Sequence, residues 1–91
     1  MKIEHLKYLT VLEQTNSMNK AAEKLYISQP NLSNAINNLE GELGYKILNR
    51  SNRGIEFTPA GKKLLVYTHN ILSEYHKLLN LDNMSEIMTF K

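Results

Sequence analysis

The side chains best placed to do chemistry lie between Ser28 and Asn38: Gln29, Asn31, Ser33, Asn34, Asn37 and Asn38. Amides and hydroxyls both donate and accept hydrogen bonds. At helical spacing these residues form one outward face. Base edges in a DNA major groove ask for such groups, and Asn and Gln pair bidentately with adenine. A solvated polar face accounts for the same residues equally well, so the spacing alone leaves both readings open. A second set is basic: Lys46, Arg50, Arg53, Lys62 and Lys63, opposed locally only by Glu56. A local basic patch is what phosphate binding needs. Arginine forks match phosphate geometry, and arginine enters narrow minor grooves.

Other chemistry finds little support. His69 and His76 are seven residues apart on one helical stretch, two turns away from each other and too far for one metal; His5 and Tyr8 read as packing residues. Glu40 and Glu42 have no partner pattern for acid–base work. There is no Gly-rich phosphate loop and no Ser/His/Asp constellation. With no cysteine, disulfides and thiolate metal sites are excluded. These observations point away from an enzyme and imply no cofactor or metal in this stretch. No apolar run is long enough to span a membrane. The charged start, with Lys2, Glu4, His5 and Lys7, is unlike a signal peptide, so a cytoplasmic location is expected. The 91 residues suit one small domain, with a formal net charge of only +2. A chain this short buries only about 60–65% of its unfolded surface and gains from a partner.

The elements that must carry these groups are predicted from periodicity and capping. Ile3, Leu6, Leu9 and Leu12 mark one face of a first helix, widened by Tyr8 and Val11 and stopped by Asn16 near Thr15. Ser17 caps a short second helix to Leu25, with Ala21, Ala22 and Leu25 inward. Tyr26-Ile27 is expected to plug the core between that helix and the next. Ser28 caps the third helix, with Pro30 tolerated in the first turn. Leu32, Ala35, Ile36, Leu39 and Leu43 form its stripe, and Gly44 stops it in the left-handed conformation. Gly41 is expected to loosen its last turn. The small alanines allow the close approach of a helix-turn-helix. Ile47, Leu48, Ile55 and Phe57 are strand residues around a Ser51–Gly54 turn, making a β-hairpin wing with Arg50 and Arg53 near its tip. Thr58-Pro59 opens a last helix of about twenty residues, ~30 Å long.

Ser17, Ala21-Ala22, Leu25, Ser28-Gln29-Pro30, Leu32-Ser33, Ile36, Leu39-Glu40 and Leu43-Gly44 together resemble the N-terminal winged helix-turn-helix of LysR-type transcriptional regulators. The resemblance continues through Arg50, Arg53-Gly54, Thr58 and Ala60-Gly61 and covers the chain to the end of the last helix. It implies a mostly α fold: three helices plus a β-hairpin wing, then a long C-terminal linker helix. Residues 1–58 would be the DNA-binding domain, 59–80 the dimerising linker helix, and 81–91 a tail leading to an effector domain outside this chain. A small-molecule effector would bind there.

The resemblance nominates Gln29, Pro30, Ser33 and Asn34 as base readers, with Asn31 and Asn37 second. Ser17, Met18 and Asn19 would touch the DNA backbone, and Arg50 and Arg53 the minor groove or its phosphates. Relatives commonly carry Arg at position 34 and basic residues near 37 and 38, where this chain has Asn. That departure removes positive charge and a guanine reader, favouring A·T-containing half-sites. On the last helix Leu64, Thr68, Ile71, Tyr75 and Leu78 step by four, three, four and three, flanked by Leu65, Leu72 and Leu79. The stripe exceeds what a small domain covers, and a second copy is the economical partner. The expected function is sequence-specific binding of double-stranded DNA by a homodimer on an interrupted palindrome, with a tetramer open to the longer protein. A winged-helix protein–protein module and a sequence-indifferent architectural DNA binder are the competing functions.

Overall fold

Helix boundaries fall where capping chemistry puts them in the computed structural model, which describes residues 1–81. Helix α1 (Ile3–Thr15) ends at Asn16, whose φ of 53° is left-handed. Helix α2 (Met18–Leu25) starts at Ser17, whose Oγ accepts from the Lys20 N–H at 3.2 Å. Helix α3 (Gln29–Leu43) starts at Ser28, whose Oγ accepts from the Asn31 N–H at 3.1 Å. It stays helical through Gly41 to Leu43, so the loosened last turn does not occur, and Gly44 closes it at φ 83°. Strands β1 (Leu48–Ser51) and β2 (Gly54–Phe57) form an antiparallel hairpin. Helix α4 (Pro59–Leu79) opens at Thr58, whose Oγ1 accepts from the Gly61 N–H at 2.9 Å.

The expected apolar stripes meet in one core: Leu6, Leu9 and Leu12 from α1, Ala21 and Ala22 from α2, and Leu32, Ile36 and Leu39 from α3. Ile47, Leu48 and Phe57 close it from the wing, and Leu65 and Leu72 from α4. Tyr8 packs at its edge, where burial, and secondarily the Glu4 carboxylate, push its phenol above the usual range. Tyr26 does not plug this core. It takes the left-handed position that ends α2, at φ 59°, and stands 95% exposed, while Ile27 alone turns inward. The reversal has a local cause: the left-handed residue swings its side chain out and returns the next one to the core.

Helices α1 and α4 run antiparallel, joined at one end by Glu13 and His69 (2.8 Å) and at the other by the Lys7 ammonium over the Tyr75 ring (5.4 Å). This packing divides the apolar residues of α4. Leu65, Thr68 and Leu72, expected at a dimer surface, are instead buried within the chain at 7%, 0% and 7% exposure. Leu64 and Tyr75 are half-buried, and Leu64 packs against the core. Ile71, Leu78 and Leu79 remain exposed, joined by Val66 and Tyr67. Because α4 rests on α1 as far as Tyr75, the line of Leu65 and Leu72 is spent there; the neighbouring line with Ile71 and Leu78 stays free, and Leu79 is exposed because it lies past that contact.

Candidate nucleic-acid interface

Three pieces converge beside the start of α3. The hydrophobic stripe turns Leu32, Ala35, Ile36 and Leu39 inward and leaves Pro30, Asn31, Asn34, Asn37 and Asn38 exposed on the opposite face. Gln29 and Ser33 are half-buried on the side that faces the wing. The first turn of α2 contributes Ser17 and Asn19. Between these and the hairpin lies an open cleft of about 630 Å³. Its charged lining is Lys20, Arg50 and Arg53, and among the described residues no carboxylate lines it. A positive cleft at the N-terminal ends of two helices favours anions twice over, through the side-chain charges and through the helix dipoles and free N–H groups.

The wing is set against α3 by specific bonds. Leu48 pairs with Phe57 and Arg50 with Ile55, so these four side chains share the inward face, while Asn49 and Glu56 point away. Arg50 therefore points along α3, and its Nη1 donates to Ser33 Oγ at 2.7 Å. Seven residues further along α3, Glu40 Oε2 accepts from the backbone N–H of Ile47 (2.7 Å) and Leu48 (3.3 Å). At the other side, the Ile55 N–H donates to the carbonyl of Asn16 at 3.3 Å. Gly54 is required at that junction. Its φ is 120°, and a Cβ there would lie 2.7 Å from the Asn16 oxygen.

Several sequence-based placements change. Met18 is mainly a core residue at 8% exposure, with only its edge on the cleft. Its spacing to Ala21, Ala22 and Leu25 already carried that signal, as the inward line of an amphipathic helix. The basic cluster also divides. Arg50 and Arg53 share the cleft with Lys20, which the sequence reading missed. Lys62 instead lines a separate groove of about 430 Å³ with Glu13, Glu56 and His69. Glu40 was missed because its partners are backbone groups in another element, which no residue pattern announces. Among the described residues, no three His, Cys, Asp or Glu side chains come together to hold a metal. Nor is any described helix long and apolar enough to cross a membrane.

Residues 3–62 match the family described as bacterial regulatory helix-turn-helix proteins of the lysR family. The chain is 38% identical over 81 residues to the HTH-type transcriptional regulator BenM of Acinetobacter baylyi, covering 89% of this chain and 27% of BenM. It is 44% identical over 69 residues to the nitrogen assimilation regulatory protein Nac of Escherichia coli, covering 76% of this chain and 22% of Nac. The chain thus spans about a quarter of the length of these curated relatives. Among solved structures, the CbnR DNA-binding domain in complex with DNA superposes with a TM-score of 0.88 at 32% identity, covering 94% of this chain and 99% of that one. The BenM DNA-binding domain on catB site 1 DNA gives 0.86 at 34% identity, covering 99% and 97%.

Proposed function

The chain belongs to the LysR family of bacterial helix-turn-helix regulators, and from that premise we propose that it is a sequence-specific DNA-binding module that docks as a homodimer on an interrupted palindrome. The observation that carries this reading is the exposed polar face of α3 beside a cleft whose charges are all positive. Helix α3 enters the major groove N-terminus first. Gln29, Pro30, Ser33 and Asn34 meet base edges, with Asn31 and Asn37 further along. Ser17 and Asn19 offer a hydroxyl and an amide to phosphate, next to the free N–H groups of α2. Arg53, in the turn of the wing, reaches the minor groove or its phosphates. Asn at 34, 37 and 38 favours adenine-containing half-sites. The function is binding rather than catalysis, and its place is the compartment that holds the DNA.

Residues 1–58 form the reading head. Residues 59–80 add the helix through which two copies pair, using the exposed Ile71 and Leu78 together with Leu79 past the α1 contact. The tail from residue 82 onward lies outside the described residues. The relatives' greater length supports a following domain that binds a small-molecule effector, and a tetramer of the longer protein.

Selection of bound sites from random duplexes, at two salt concentrations, tests the reading. Enrichment of a two-fold-related motif with a steep salt dependence is expected. Salt-sensitive binding without a motif would identify an architectural binder, and no duplex binding would favour a protein-docking module.

A further inference from the structure

We propose that Arg50 is a positioning residue, which by donating to Ser33 fixes that hydroxyl as a hydrogen-bond donor toward DNA and so makes this position select a base edge that accepts. The inference rests on the DNA-reading function proposed above. A serine hydroxyl has one proton to give and two lone pairs to receive with. On a helix that proton is commonly spent on the carbonyl four residues back. Here, among the described residues, Ser33 makes no such bond; its Oγ receives Arg50 Nη1 at 2.7 Å. One lone pair is occupied by a cation and the proton is left over. A guanidinium donating to an oxygen also polarises its O–H bond and strengthens it as a donor.

The contact is built in from two directions. The hairpin register puts Arg50 on the inward face with Leu48, Ile55 and Phe57, so the side chain runs toward α3 rather than out from the wing. Glu40 holds the backbone of Ile47 and Leu48 one line further down the same helix, which sets the height of β1 along α3. With that height fixed, the residue two positions after Leu48 meets Ser33. Arg50 is thereby drawn away from the minor groove, and Arg53 is left as the arginine of the wing turn.

In the major groove, guanine offers two acceptors, thymine one, and adenine an acceptor beside a donor; cytosine presents only an amino donor. A Ser33 held as donor beside a positive charge disfavours cytosine at the base it meets. Site selection from random duplexes on the wild type, Ser33→Ala, Arg50→Met and the double variant tests this, with melting curves for each. Discrimination against cytosine at one position should fall from about tenfold to about twofold in either single variant, the size of one lost hydrogen bond. The double variant should lose no more, other positions should keep their preferences, and melting should stay at the wild-type value because Arg50 is exposed. The inference is overturned if Arg50→Met leaves every preference intact while weakening all sequences alike and lowering the salt slope by about one, as a phosphate contact would. Additive losses at different positions would also overturn it. A wild type that enriches no motif would instead remove the DNA-reading function and this inference with it.

Discussion

Helices α3 and α4 begin alike and end differently. Each starts with a hydroxyl cap and a proline in the first turn, and each turns one apolar line into the same core. Their outer faces are opposites. That of α3 is Asn, Ser and Gln, while that of α4 carries Val66, Tyr67, Ile71, Leu78 and Leu79. The same rules for starting a helix thus serve two surfaces, one suited to hydrogen-bonding edges and one suited to another protein. What separates the two roles is the chemistry of the line that the core leaves over.

The surface of α4 depends first on how the helix is seated. Any Cβ at Gly61 would run into the carbonyl oxygen of Ile47, so Gly61→Ala must move α4 off the wing. We expect a loss of about 3 kcal/mol, the upper range for forced overpacking, read by chemical denaturation. A loss below ~1 kcal/mol would show that α4 is not held there.

A matched pair sharpens the division within α4. Leu72→Ala should cost about 2–4 kcal/mol, because it opens a cavity beneath α1. Leu78→Ala, at a residue 64% exposed, should leave the unfolding of the single chain within ~0.5 kcal/mol of wild type while weakening self-association in sedimentation. Equal effects on unfolding would erase the distinction between the two lines.

On α3, Asn34→Ala should cost about 1–3 kcal/mol on the preferred duplex and relax one position of it. Arg53→Ala should instead weaken every duplex and reduce the salt slope by about one. Indistinguishable effects would mean that helix and wing do not divide base reading from backbone holding.

The smallest change tests the core of α4. Thr68 is fully buried, and its hydroxyl has no hydrogen-bond partner among the described residues. Thr68→Val should stabilise the fold by about 1 kcal/mol, since it removes an unsatisfied polar group and keeps the shape. A destabilisation in thermal melts would reveal a partner for that hydroxyl.

Local grammar made much of this fold legible in the sequence. Ser17, Ser28 and Thr58 cap the helices they were expected to cap, and Asn16 and Gly44 end helices in the left-handed conformation. Those signals act within a few residues. Most of the misplacements depend on contacts between elements. The direction of Tyr26 is a local exception, set by its left-handed backbone at the end of α2. The split of the α4 stripe follows from the width of α1, which periodicity on α4 does not contain. Glu40 and Arg50 find partners in other elements, and only the hairpin register reveals which way Arg50 points. Met18 alone was readable in advance, from its spacing to Ala21 and Ala22.

The antiparallel clamp between α1 and α4 also sets the reach of the molecule. It holds α4 at His69 and Tyr75, with Thr68 and Leu72 wedged inside, and leaves the end beyond Tyr75 projecting. Because α1 shares its core with α2 and α3, the packed part of α4 belongs to the same core as the reading face, and Leu78 and Leu79 stand out past it.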